Sequence, residues 1–343
     1  VAFVVNNQSA TLAAANLADF RVIASIPVVP QPERVLARPG NQQLYVVSAT
    51  GKISVVAYPH SRVVATLDLG HSAKDLTFSP DGRMAYVLNP EDREVIFLDC
   101  EAGKEAARVR LRGTLSDLAL TPDGKTLIIA SPTLNQLTFL STQTRQPLGT
   151  VEVGKAPGAM VVLPDSSEVF VADTGEEAVS AASVATPNLL SNIEIGTRPT
   201  TLLLKPDGGE IFVLSAHATS LVIVDAFHDA VEQTFPTGRD PVAGVFRRDS
   251  SVLYIANAGD GSIMALDVQN RTVLASTHVG VEPRALALTP DERFLVVADS
   301  AASSLAVMHA DPQSLAVGRS ALVTTLPAGA RPVDVVIPDW RTN

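Results

Sequence analysis

The side chains best able to carry chemistry are two loop histidines, His71 and His217, and a set of charged loop residues. That set is Lys155, Arg198, Arg239, Asp240, Glu282, Arg284 and Arg331. An imidazole can serve as a general base or as a single metal ligand, and carboxylates beside bases can bind polar groups or move protons. A hydrolase or lyase built on this chain would draw on Asp240, Glu282, Asp173, His71 and His217. The two histidines belong to different repeats of the pattern below, so they are not expected to hold one metal together. His60 and His228 fall in loops of the opposite edge, and His278 and His309 are placed in or just after outer strands. The chain has no Gly-x-Ser-x-Gly elbow, no His-Glu-x-x-His and no phosphate-binding glycine loop. No catalytic residue, metal site or cofactor is therefore assigned from the sequence, and non-enzymatic work is favoured over catalysis.

These residues are carried by a repeat. A turn of the form Pro-Asp-Gly follows a short apolar run at Pro80-Asp81-Gly82, Pro122-Asp123-Gly124, Pro164-Asp165-Ser166, Pro206-Asp207-Gly208 and Pro290-Asp291-Glu292. Pro39-Gly40-Asn41 and Arg248-Asp249-Ser250 are degenerate copies, which gives a period of 41–42 residues. Pro338-Asp339-Trp340 comes after a longer interval, because a loop near 310–320 is extended. Proline presets φ at the first central position, and Asp and Gly suit a tight reversal. Seven residues before each anchor lies a second column: Pro32, Ala73, Leu115, Pro157, Pro199, Pro241 and Pro283.

Each period reads as four short strands. One lies between the two columns, as in Leu202-Leu203-Leu204, and three follow, as in Val252–Ala256, Ser262–Leu266 and Thr272–Ser276. Four antiparallel strands per 42 residues is one propeller blade. The second strand ends in Tyr45-Val46-Val47-Ser48, Tyr86-Val87-Leu88-Asn89 and Tyr254-Ile255-Ala256-Asn257, with looser copies at Phe170-Val171-Ala172-Asp173 and Phe212-Val213-Leu214-Ser215. In these motifs the whole chain resembles the YVTN-type β-propeller repeats of microbial surface-layer and exported proteins. The resemblance implies a propeller whose binding mouth is formed by the D–A loops (fourth strand to next first strand) and the B–C loops. It implies little about activity, since such propellers include structural, binding and enzymatic members. Some eight-bladed propellers hold a haem-type cofactor, for which His71 or His217 could be the single axial ligand. Quinone-cofactor propellers carry a tryptophan in each blade, whereas this chain has only Trp340.

Residues 1–30 contain three strands and lack the first. The missing one is Val333–Ile337, so the expected fold is all-β: an eight-bladed propeller of four-stranded antiparallel blades, closed as a ring by the C-terminal strand. The two ends should then meet at one A–B turn. A seven-bladed ring is the alternative, with residues 1–30 outside it. Either way residues 1–343 form a single domain.

Two columns face the mouth. The residue before the proline column diverges between repeats: Gln31, Ser72, Thr114, Ala156, Arg198, Asp240, Glu282 and Arg331, with Arg34, Lys155, Arg239 and Arg284 nearby. A position that varies within one chain has no shared structural duty, so this column is a candidate for specificity, set against a plain solvated rim. The last residue of the second strand is always Asn, Asp or Ser: Asn6, Ser48, Asn89, Ser131, Asp173, Ser215, Asn257 and Asp299. These types cap hairpins through side-chain-to-backbone hydrogen bonds. Eight dispersed oxygens suit one ion poorly. Asp99, Asp225 and Asp267, at the end of the third strand, read as turn formers, and Cys100 as a turn residue or an exposed thiol.

Composition bounds the rest. Apolar residues are 46% and charged residues 18%, which excludes a disordered chain. Mean hydropathy is +0.22, yet no uninterrupted apolar run is long enough for a transmembrane helix. A net charge of −10 without basic clusters argues against nucleic acid or an anionic membrane as partner. Cys100 is the only cysteine, so no intramolecular disulfide forms. Asn7-Gln8-Ser9 and Asn270-Arg271-Thr272 match the N-glycosylation pattern. Val1 begins almost inside a strand, which suggests a trimmed N-terminus and a signal peptide absent from this chain. The expectation is an extracytoplasmic, non-catalytic propeller that binds a protein partner or itself, with a small-molecule ligand possible. The alternative is a lactonase- or lyase-like enzyme, or a haem-type carrier, working at the mouth.

Overall fold

The computed structural model describes residues 1–311 and 321–340. The chain is an all-β propeller of eight four-stranded antiparallel blades. Blades 2 to 7 occupy residues 32–68, 75–110, 117–152, 157–194, 201–236 and 241–278, and blade 8 spans 283–327. Blade 1 is split. Its strands β1 (Ala2–Asn6), β2 (Thr11–Asn16) and β3 (Arg21–Pro27) are completed by β32 (Pro332–Val336), which pairs antiparallel with β1 through Phe3↔Val336. The seven-blade alternative is thereby set aside. The two ends meet at one turn, as expected, where Val1 and Ile337 line the same small hollow. Trp340 stacks on Tyr58 at 4.5 Å and packs near Phe3.

The blades gather into two compact units, Val1–Gly70 with Thr237–Asn343, and His71–Pro236. In both, second and third strands such as Val252–Asn257 and Ser262–Asp267 are almost wholly buried, while fourth strands such as Arg62–Asp68 alternate. That is why the former are continuous apolar runs and the latter mix charge with Val and Leu. Apolar layers lie between facing blades: Phe170, Val179, Ile211 and Val222 join blades 5 and 6, and Tyr254, Ile263, Val297 and Met308 join blades 7 and 8. A register shift recurs between third and fourth strands, for example at Phe97/Leu98 and Ala265/Leu266. Such bulges increase local twist.

The anchors are turns of the expected kind. In Ser79–Gly82 the Gly82 N–H donates to Ser79 O (2.8 Å), and Gly82 has φ +67. Asp81 accepts from the Ser79 hydroxyl (2.6 Å) and the Arg83 N–H (3.0 Å), which hold its carboxyl below the ordinary range. Asp123, Asp165 and Asp249 repeat this with Thr121, Ser167 and Ser251. Asp99 and Asp225 cap the third-to-fourth-strand turns by accepting two N–H groups each.

Cys100 sits in a turn, as expected, and is buried, which sets aside the exposed-thiol alternative. Its N–H bonds Arg83 O, and the equivalent residues Val184, Ala226, Val268 and Ala310 are buried as well, whereas Tyr58 and Thr142 at the same place are half-buried. One placement differs from expectation. His309 ends the third strand of blade 8 (Ser304–His309) and stacks on Phe294 at 5.5 Å, so it is not on an outer strand. Of the extended loop, residues 312–320 lie outside the described residues. Among the described residues no helix is long and apolar enough to cross a membrane.

Candidate functional site

The D–A and B–C loops of a blade are tied by backbone bonds. Carbonyls of Gln31, Ala156, Asp240, Glu282 and Arg331 accept the N–H groups of Ala49, Thr174, Ala258, Ser300 and Asn7 at 2.9–3.2 Å. Gln31, Ala156, Asp240 and Arg331 also adopt φ of +51 to +57. At these five places the diverging column therefore does have a structural duty, contrary to the expectation from its variability. The backbone performs it, which is why the side chain remains free to vary.

The candidate side chains divide into local pairs. His71 Nδ1 lies 2.7 Å from Asp92 Oδ1, and the His71 backbone N–H donates to Asp92 Oδ2. This bond raises the His71 pKa and brings Asp92 down to about 2. Arg239 donates from Nε to Asp260 Oδ1 (2.6 Å) and from its backbone N–H to Asp260 Oδ2. Lys155 Nζ lies 3.9 Å from Glu176. Arg284 and Glu282 pair with each other at 2.5 Å. Asp240 and His217 both sit at left-handed φ, the latter in the B–C loop of blade 6. Arg331 lines a hollow of about 340 Å³ with Asn7, Gln31, Glu33 and Val333. Arg198 lines a depression in blade 5, described below.

Asp92, Glu176 and Asp260 were not among the expected site residues. Their signal lies in the numbering: they are 84 residues apart, and each follows a base (His71, Lys155 or Arg239) by 21. A search for acid–base pairs at half the repeat length would have found them.

The strand-end column is fully buried, and Asn6, Ser48, Asn89 and Asp299 cap loops as their residue types indicate. Much of its bonding reaches the D–A loop rather than its own hairpin. Asn6 Oδ1 accepts Gly329 N–H, and Asn89 Oδ1 accepts the Ser72 hydroxyl and Asp92 N–H. Asp299 accepts N–H groups from Val281, Glu282 and Ala302 at 2.6, 3.0 and 3.0 Å. Four members keep an unpartnered buried atom: Ser131 Oγ, Asp173 Oδ1, Ser215 Oγ and both amide atoms of Asn257.

Asp173 is the chemically distinctive member. Its Oδ2 accepts the Ser180 hydroxyl at 2.8 Å, and Ser180 Oγ in turn accepts from Gly154 N–H and Asn192 Nδ2. Burial, with a contribution from the Glu176 carboxylate, pushes Asp173 up to about 7. A Cβ on Gly154 would collide with the carboxyl oxygens of both Asp173 and Glu176, so only glycine lets the loop pass over this pair. Beside them lies a depression of about 520 Å³ whose walls include Glu176, Glu177, Asn192, Glu194 and Arg198. In the first strands of blades 3 and 4, Asp75 and Asp117 are neighbours. Asp117 accepts Met160 N–H of blade 5, and burial followed by the Asp75 charge raises it to about 6. Among the described residues, no three His, Cys, Asp or Glu side chains converge as a metal site would require.

A family model for lactonases, described as seven-bladed β-propellers, matches residues 214–336, less than half of the chain. No curated protein sequence matches. Among solved structures, the chain is similar to dihydro-haem d1 dehydrogenase NirN in complex with DHE. The TM-score is 0.81 at 14% identity, over 98% of this chain and 74% of that one. Hydrazine synthase of Kuenenia stuttgartiensis gives 0.61 at 18% identity, over 77% and 91%. A functionally unknown protein from Desulfotomaculum acetoxidans gives 0.65 at 17% identity, over 86% and 99%. At these identities the likeness is one of fold, and the fold is the β-propeller that the eight blades display.

Proposed function

We propose that the chain is a non-catalytic, extracytoplasmic binding propeller of the YVTN-type, surface-layer-like kind, working through a protein partner or through self-association. Residues 1–343 act in this reading as one domain. The observation that supports it is the pairing of the loop charges. His71 with Asp92, Lys155 with Glu176, Arg239 with Asp260 and Arg284 with Glu282 each neutralise one another locally. Charges distributed in this way suit recognition of a patterned surface better than acid–base chemistry on one bond. The test is light scattering and electron imaging of the purified protein, with affinity capture from its native extracytoplasmic fraction. Oligomers or a reproducible partner are expected; a lone monomer in both measurements overturns the reading.

A second reading, a cofactor carrier or enzyme at the mouth, is favoured by the NirN likeness and by one local geometry. With Nδ1 held by Asp92, His71 keeps Nε2 as its outward donor, on a side chain that is 79% exposed. Metal-bound histidines are commonly oriented by a carboxylate in this way. A haem-type group would supply redox chemistry, and His71 is the residue fit to hold it. Visible absorbance and metal analysis of protein taken from its source separate the readings. An absorbing chromophore lost in His71→Ala supports the carrier; a colourless, metal-free protein removes it.

A further inference from the structure

We propose that copies of this chain associate edge to edge, the outer strands of blades 1 and 2 docking on the outer strands of blades 4 and 5 of a second copy. This rests on the self-association branch of the reading above and names its surface. The starting point is the register shift that the fourth strands share. It leaves one extra residue in each of β3 (Arg21–Pro27), β7 (Arg62–Asp68), β15 (Pro147–Glu152) and β19 (Asn188–Glu194), namely Ile23, Val64, Leu148 and Leu190. These four aliphatic side chains are 52%, 45%, 53% and 45% exposed. The bulge does not ask for them, since Ala106 and Glu232 stand at the same place in blades 3 and 6.

Strand β3 lies beside β7, and β15 beside β19, so each pair of strands presents an apolar stretch to solvent. Covering such a stretch is favourable. An edge interrupted by an extra residue is a poor template for strand addition. The contact is therefore one of side chains rather than a continuous sheet.

Charge selects the partner. Strands β3 and β7 each begin with an arginine, Arg21 and Arg62, whereas β15 and β19 each end with a glutamate, Glu152 and Glu194. All four are exposed, and none has an ion-pair partner among the described residues. Asp68, at the far end of β7, pairs with Lys52 at 3.6 Å. When outer strands of two copies run antiparallel, first residues face last residues. Arg21 and Arg62 then meet Glu152 and Glu194, Asp68 meets Pro147 or Asn188, and no like charges face each other along the strands. Two arginine edges, or two glutamate edges, would repel. The contact is thus heterologous, and it repeats from copy to copy into chains or closed rings.

The test is sedimentation velocity of the full chain over a concentration series in low salt. It includes two charge-reversed variants, Arg21→Glu/Arg62→Glu and Glu152→Arg/Glu194→Arg. Wild type should associate as concentration rises, and added salt should weaken the association. Each variant alone should lose roughly a hundredfold or more in affinity, with its melting temperature unchanged because these side chains are exposed. An equimolar mixture of the two should associate again, since each then offers the charge that the other's reversed edge requires; a folding defect would not be rescued in this way. Val64→Ser/Leu190→Ser should weaken association about tenfold. A monomeric wild type, assembly that survives either reversal, or a mixture that stays monomeric overturns the proposal. Oligomers indifferent to both reversals would leave self-association standing on another surface, and a monomer that still captures a protein partner would leave the wider binding reading standing.

Discussion

Asp173 of blade 5 and Asp299 of blade 8 stand at the same place in the repeat, both fully buried at the end of a second strand. Asp299 accepts three backbone N–H groups, two from the D–A loop and one from its own hairpin. Asp173 has the Ser180 hydroxyl on one oxygen and nothing on the other. The difference comes from a neighbour. In blade 5 the N–H matching that of Glu282 belongs to Ala156, and it donates instead to Asn135 Oδ1 of blade 4. The Glu176 N–H, matching that of Ala302, bonds the Asp173 carbonyl. A repeat thus fixes where a side chain stands, while its hydrogen bonding follows from which neighbour takes the loop's donors.

The largest effect expected from this contrast is on stability. Asp299→Ala leaves three part-buried N–H groups without their side-chain acceptor and should cost roughly 2–4 kcal/mol in urea unfolding. Asp173→Ala should cost distinctly less, and equal losses would break the comparison. Next is pH. Burial pushes the Asp173 carboxyl up to about 7 in the folded chain, well above the ordinary carboxylate range. Its stabilising contribution is therefore full below about pH 4 and is lost as pH rises through 7, by at most about 4 kcal/mol. The melting temperature of Asp173→Asn relative to wild type should climb across that window, and a flat difference would contradict the burial argument.

Smaller effects follow. Asn135→Ala releases the Ala156 N–H, costs about 1 kcal/mol, and should bring the Asp173 titration back toward the ordinary carboxylate range by carbon-detected NMR. Asp92→Asn should leave stability nearly unchanged and let the His71 pKa fall toward 6.5, read from its imidazole proton shifts. An unmoved His71 would show that the pair does not persist in solution.

The blades were legible in the sequence because their determinants are local. The Pro-Asp turn and the two buried apolar runs recur within one period. The split blade was legible too, since residues 1–30 align with the last three strands of other repeats and Val333–Ile337 with the first. The site was less legible. Asn135 and Ala156 lie in different repeats, so no motif within one period reveals that the first deprives Asp173 of a donor. His309 was misplaced because the long loop following it blurred the period. The variability of the column at Gln31, Ala156, Asp240 and Arg331 was read as freedom from duty, since a backbone carbonyl's bond leaves no trace in residue type.

That same column has a consequence for engineering. Where the hydrogen bond belongs to the carbonyl and φ is near +55, the side chain can be randomised without touching the core. A combinatorial library at Gln31, Ala156, Asp240 and Arg331 would offer spaced, independently variable contact points on a scaffold that does not change. Asn, Asp and Gly would be the best tolerated residues and β-branched ones the worst, because of the left-handed backbone.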